Sequence, residues 1–170
     1  MKSLSKIFYI SSFLAGSIFP APFIGLGQYL RGNESIFLIV IGIAFFVLLL
    51  FVILSLTYEM WSSIEDIHAR MSPGKAVGFL FIPLYNIYWM YQVLVGFVED
   101  YNDFISRNEI KTPILEDGVF KIFFFLTLIS LVPYIGGFAA LANLVVGAIM
   151  ISKICDAVNA VNFVLYLRAE

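Results

Sequence analysis

Ile36-Phe37-Leu38-Ile39-Val40-Ile41-Gly42-Ile43-Ala44-Phe45-Phe46-Val47-Leu48-Leu49-Leu50-Phe51-Val52-Ile53-Leu54-Ser55-Leu56-Thr57-Tyr58 is a run of 23 residues without one charge. At about 1.5 Å per residue it makes a helix of about 35 Å, enough to cross the roughly 30 Å hydrocarbon layer of a bilayer. Working outward, three more uncharged runs follow the same rule: Ile7–Leu30, Ala76–Val98 and Ile122–Ser152. The reading is an all-α, polytopic transmembrane protein, a single transmembrane domain over residues 1–170. We expect four to five membrane segments with Pro-broken helices or re-entrant hairpins, at about 7–30, 36–58, 74–98 and 118–152. Helix extensions are expected at about 59–71, 99–108 and 153–167.

Composition agrees. Apolar residues make up 61% and charged residues 13%, against about 45–50% and 25% for soluble domains. A net charge of -2 supplies no basic field for nucleic acid. Cys155 is alone, so no internal disulfide can form. Lys2 and Lys6 ahead of an apolar stretch imitate a secretory signal, with Ala15-Gly16-Ser17 or Pro20-Ala21 imitating a cleavage site. The apolar run passes both on its way to Leu30, so we expect it to be kept as the first span.

Prolines and glycines punctuate the runs. Pro20-Ala21-Pro22 interrupts the first. The second should be straight and should protrude past Tyr58, with Met60, Ile64 and Ile67 as an apolar stripe and Tyr58 and Trp61 marking the interface. Ser72-Pro73-Gly74 should start the next helix, which meets a break at Pro83. The fourth run is too long, about 46 Å of helix, and reads as two legs, roughly Gly118–Val132 and Phe138–Ser152, joined through Pro133. Phe81-Ile82-Pro83 and Leu131-Val132-Pro133 echo one another, and Phe19-Pro20 is a fainter third copy.

Basic side chains favour the cytoplasmic side of a membrane. Five simple crossings split the ten bases 4 to 6, against that rule. Hairpins turning at Pro83 and Pro133 place every base except Arg31 on one side, 9 to 1. Both termini and Asn102–Leu115 are then cytoplasmic. A Pro-kinked full crossing at Pro83 is the competing arrangement. Broken backbone at membrane depth needs protein or water to cover it, which points to self-association.

The stretch Met71-Ser72-Pro73-Gly74-Lys75-Ala76-Val77-Gly78-Phe79-Leu80-Phe81-Ile82-Pro83-Leu84-Tyr85-Asn86-Ile87-Tyr88-Trp89 resembles the signature of a bacterial membrane-protein family of unknown function. Its members carry Ser/Thr-Pro-Gly-x-Ala-Val-Gly and then Phe-Ile-Pro-x-x-Asn-x-Tyr/Trp. Val132-Pro133 to Ala142-Asn143, and Lys153 to Ala160, are similar to later segments of such proteins. The resemblance covers about half of the chain. It implies a small multi-pass protein of the bacterial inner (plasma) membrane, in some members joined to cytoplasmic modules, and it brings no activity.

Glu65-x-x-His68 has the spacing of a di-iron ligand pair on a bundle helix, but His68 is the only histidine and a solvated helix end accounts for it. No nucleophile–base pair, phosphate loop or metal-ligand cluster stands out, so neither catalytic residues nor a cofactor is expected. Glu59, Glu99 and Asp100 stand where apolar runs end. Asp156 is one turn from Lys153 and can pair with it. Asp156, Asn159 and Asn162 need polar partners on an otherwise apolar helix. Asn86 and Asn143 could face water beside the breaks at Pro83 and Pro133. Gly74-x-x-x-Gly78, Gly136, Ala140 and Gly147 would permit close helix packing. Two functions follow. The first is a homo-oligomeric channel or transport protein with Asn86, Asn143, Asp156 and Asn159 along a polar pathway beside Pro83 and Pro133. The alternative is a non-transporting membrane adaptor or scaffold docking a protein partner through its cytoplasmic helix ends.

Overall fold

The computed structural model describes residues 3–30 and 32–169, and among them it is entirely helical. The helices are α1 (Lys6–Ile18), α2 (Pro20–Tyr29), α3 (Asn33–Ser63), α4 (Pro73–Gly78), α5 (Tyr85–Arg107), α6 (Gly118–Ser130) and α7 (Gly136–Ala169), with a 3-10 turn at Phe79–Phe81. Three stretches are long and apolar enough to cross a membrane: Lys6–Tyr29, Asn33–Ser63 and Gly136–Arg168; α6 is apolar but shorter. The third run therefore contributes no long apolar crossing. Its helix stops at Gly78, and α5 is half charged beyond Val98.

The chain is three antiparallel hairpins. In the first, α1 and α2 run against α3. Pro20 and Pro22 remove two amide donors, so the helix breaks at Phe19 and resumes at Pro20. The two strands of this hairpin touch closely at Gly16, where an added Cβ would lie 2.6 Å from Leu49 Cβ and 3.2 Å from the Phe45 carbonyl oxygen. The second hairpin brings the 3-10 turn against α5, while α4 packs on α3 and accepts one bond from Trp89 at its Ala76 carbonyl; the third is α6 against α7.

The second and third hairpins turn in the same way. Leu84 and Tyr134, each directly after a proline, hold φ of 65° and 69°. The Tyr85 amide donates to the Pro83 carbonyl at 2.8 Å, and the Asn86 amide to Ile82 at 2.9 Å. At the other tip Ile135 donates to Pro133 and Gly136 to Val132, each at 2.9 Å. Each tip is thus a three-residue γ-turn on a left-handed residue, a rare and strained form. The echo between the two Pro motifs is structural; Phe19-Pro20 lacks it, because Phe19 keeps helical torsions.

One end of the molecule gathers the charges. Lys6 meets Asp156 at 2.5 Å, Arg107 meets Asp66 at 3.0 Å and Arg70 meets Glu99 at 2.7 Å. Arg168 donates to the Asn108 carbonyl at 2.9 Å. The start of α1, the end of α3, the loop 64–72, the end of α5 and the end of α7 therefore lie together. Of the bases expected to share a side, Lys2 lies outside the described residues, as does the exception, Arg31. The core sits just inside this end, built on Trp61, Phe97, Tyr101, Phe120, Ile154 and Val158, all essentially inaccessible.

Three expectations change. The extension of α3 ends at Ser63 rather than near residue 71, because the Asp66 carboxylate accepts the His68 amide at 2.8 Å and turns the chain. Met60 and Ile64 are buried, but Ile67 is 94% exposed, so the apolar stripe is broken. Trp61 is no interface anchor: α5 covers it, with Phe97 edge-on at 5.9 Å. The extensions on α5 and α7 form, and α7 runs without a break from Gly136 to Ala169.

Candidate functional site

The most developed polar arrangement is centred on Arg70, in the loop between α3 and α4. Its backbone amide donates to Asp100 Oδ2 at 2.7 Å. Its guanidinium donates to Gln92 Oε1 at 3.0 Å and to Glu99 Oε2 at 2.7 Å, and lies 3.3 Å from Asp100 Oδ1. The three partners share one face of α5. The guanidinium can lie flat there because residue 96 is glycine: a Cβ would stand 2.7 Å from Arg70 Nη1. The bond to Glu99, with the nearby charges of Asp100 and Glu99, raises the Arg70 pKa against the lowering effect of burial. Next to it, Asp66 is drawn upward by partial burial, but the bonds from Arg107 and the His68 amide, with the Arg107 charge, prevail and lower it.

Two asparagines act as backbone clamps at the same end. Asn159 Oδ1 accepts the Leu4 amide at 2.6 Å, and Asn159 Nδ2 donates to the Leu4 carbonyl at 3.0 Å. Asn102 grips Leu115 identically, with both bonds at 2.9 Å. Each side-chain amide pairs with a peptide group as a neighbouring strand would. Asn159 thereby fixes the entry to α1 against α7, and Asn102 holds the loop 108–117 against α5. Tyr101 adds a bond to Thr112 at 3.1 Å.

The six residues expected along a polar pathway are spread over different levels. Pro83 and Asn86 lie at the exposed tip of the second hairpin, Pro133 at that of the third. Asn143 donates through Nδ2 to Thr127 Oγ1 at 2.9 Å, crossing from α7 to α6, and Thr127 in turn donates to the Phe123 carbonyl at 2.8 Å. Asn143 Oδ1 is buried without a partner in the structure. Asp156 is an exposed end of a pair with Lys6, across to α1, rather than with Lys153 on its own helix. Asn159 is the clamp on Leu4. Glu65 and His68 lie outside any helix, so the di-iron spacing has no helical face to act on.

Small residues distribute unevenly. Cβ atoms at Gly74 and Gly78 would meet nothing within 4 Å, so that motif packs no helix of this chain. Gly147 does: a Cβ there would collide with the Phe13 ring, at 2.6 Å. Phe13, Thr57, Met90, Phe123, Thr127, Asn143 and Met150 help to line a mainly apolar cavity of about 240 Å³ where the three hairpins meet. A second recess of about 370 Å³ runs from Ser17 and Ile18 to Ser130 and Gly137.

Sequence reasoning missed Arg70, since its partners are 22 to 30 positions away. The available signal was Gly96, a lone glycine inside a helix just before Glu99-Asp100, which calls for a packing reason. No protein-family model matches this chain, and comparisons with curated proteins and with solved structures find no significant match either. The resemblance rests on Met71–Trp89 and the later segments Val132–Asn143 and Lys153–Ala160.

Proposed function

We propose that this chain is a multi-pass membrane scaffold that does not transport, the second of the two functions read from the sequence. Its polar end is the working surface and its three hairpins are the anchor. The observation that carries this reading is how the polar side chains are used. Asn159, Asp156 and Asn143 are engaged in bonds that tie α7 to the N-terminus, to α1 and to α6. They tie helices together at separate levels and, among the described residues, form no polar file along the molecule's depth. The charged end, in contrast, is held in one arrangement by Arg70, Arg107, Asn102 and Asn159 acting across four segments, which suits a surface that presents helix ends to a partner. Exposed apolar residues on α3, such as Phe37, Val40, Phe46 and Phe51, fit a bilayer anchor.

The test is solute and ion flux in liposomes holding only the purified protein. The scaffold reading expects flux equal to that of protein-free vesicles at every protein density. Flux that grows with protein density and falls in Asn143→Leu would overturn it and restore the transport reading.

A further inference from the structure

The hairpins reach different depths. Phe19, at the break between α1 and α2, stacks on Phe45 with ring centres 5.0 Å apart. Phe45 is near the middle of the run Ile36–Tyr58. The recess lined by Ser17, Ile18, Ser130, Gly137 and Ala140 sets the tip of the third hairpin at this same level. The tip of the second hairpin lies beside it: Asn86 and Ile87 share a recess with Leu128 and Leu131, just before the third tip, and Leu80 shares a cavity with Ile53 and Leu56. Among the described residues, α2 and the first part of α3 continue beyond Phe45, packed on each other where Gly27 faces Ile39 and Gly42 faces Ile24. The half toward the charged end contains α1, α3, α4, α5, α6 and α7; the far half contains α2 and α3. With each helix a cylinder about 10 Å across, the first half displaces roughly three times the area of the second.

We infer that the protein is a wedge in the bilayer: it prefers membrane that bulges toward its charged end, and gathers there. The inference rests on the membrane anchoring proposed above. Lipid is the occupant of the missing volume in the far leaflet, for two reasons. First, the exposed apolar residues of the far half of α3 are Ile36, Phe37, Val40, Ile43, Phe46 and Val47. They cover one continuous half of the helix, from Phe46 through Ile43, Ile36, Val47 and Val40 to Phe37, turned away from the side on which Gly42 meets α2; that arc is wider than the narrow seam of a single helix partner and fits a face bathed in lipid. Second, the two tips can meet lipid. Tyr134 is 100% and Leu84 87% exposed, and backbone in hydrocarbon must have its donors bonded. A proline without an N–H, followed by a turn that bonds the amides of Tyr85 and Asn86 at one tip and of Ile135 and Gly136 at the other, keeps open donors few. The strained left-handed residue is then the consequence of reversing the chain in so few residues at mid-depth.

A shape difference between leaflets shifts the protein between flat and curved membrane only as far as its free energy differs between them. On a tube, the outer leaflet is the expanded one. A molecule with its charged end outward fits; one with its charged end inward does not. The experiment pulls narrow membrane tubes from giant vesicles containing the full chain labelled at Ser3→Cys, an exposed position at the charged end. Cys155 is buried and stays as it is. An impermeant quencher outside the vesicle reports which molecules face outward. The wedge predicts enrichment of outward-facing molecules in the tube by about twofold or more over the flat membrane, and depletion of inward-facing ones in the same tubes. Equal distribution of both orientations, or enrichment of both alike, overturns it; equal distribution is also the result if further copies fill the far half. Flux is read in the same vesicles, so failure of the wedge is seen separately from failure of the scaffold reading.

Discussion

The two halves of the molecule are held by different physics. In the far half, α2 and α3 meet through close backbone approach, and among the described residues Ser35 Oγ donates to the Gly27 carbonyl at 2.6 Å. At the charged end, Arg70, Arg107, Asn102, Asn159 and Arg168 link segments far apart in sequence. A helical pair in lipid has no hydrophobic drive to associate, so small residues and shape must do it. Water-facing loops have no such shape constraint, and directed bonds give them one arrangement. Substitutions in the far half and its neck should therefore act through volume, and those at the charged end through lost partners.

The largest effect is expected at the neck. In Gly16→Leu the new side chain must enter the backbone of α3 at Phe45 and Leu49. Overpacking of this kind costs about 3 kcal/mol or more. Thermal unfolding in mild detergent should drop sharply, and the α1–α3 contact should open. A near-normal midpoint would mean that the hairpin is not held by close approach, and the contrast between the halves would fail.

Arg70→Ala comes next. It leaves Asp100, whose side chain is only 12% exposed, without its ion pair. Losing one partner of a partly buried charged bond costs about 1–3 kcal/mol, and solvent at the 38% exposed guanidinium puts the value toward the lower end. Arg70→Lys should recover little, because an ammonium cannot reach Gln92, Glu99 and Asp100 together. Full recovery by lysine would reduce the cluster to a simple charge effect.

How much of this was open to sequence reading follows the same division. Ile36–Tyr58 and the breaks at Pro83 and Pro133 depend on local rules, hydrocarbon thickness and the missing proline donor, and they were legible. The end of α3 was not, since Asp66 turns the chain through bonds to His68 and to Arg107, 41 residues on. Trp61 misled for a similar reason: its amphipathic ring fits an interface, but α5 arrives to bury it. Asn159 was correctly marked as needing a partner, while the partner, a peptide group 155 residues away, carries no signature in side-chain chemistry.

The tips give a gain instead of a loss. Tyr134 is fully exposed and has φ of 69°, so Tyr134→Gly removes left-handed strain of about 1–2 kcal/mol without removing packing. Glycine's extra freedom in the unfolded chain offsets part of it. A net stabilisation of about 1 kcal/mol or less is expected, seen as a higher unfolding midpoint. A loss would show that the ring is covered, by another copy or by ordered lipid, and would count against an open tip.

Acid should loosen the charged end before the far half. The Asp66 pKa is lower in the folded chain than in the unfolded one, so its stabilisation is complete above the ordinary carboxylate range and is lost as pH falls through the folded value. Hydrogen exchange of the amides at His68 and Ala69 should rise over that acidic window and stay flat above it, with amides of α2 unmoved. Asp66→Asn should abolish the pH dependence at those two sites.

The smallest effect is expected at Asp156. Its partner is Lys6, and the two side chains are 62% and 41% exposed. Exposed ion pairs contribute about 0–1 kcal/mol, and Asn159 next to it already fixes the N-terminus through two bonds to Leu4. Asp156→Asn should therefore change stability by less than about 1 kcal/mol, with the loss shrinking as salt is added. Asn159→Ala should cost more and show no salt dependence, because it removes neutral bonds to a buried residue. If the order were reversed, the charged end would be organised by long-range charge rather than by directed bonds, and the distinction between the two halves would have to be redrawn around net charge alone.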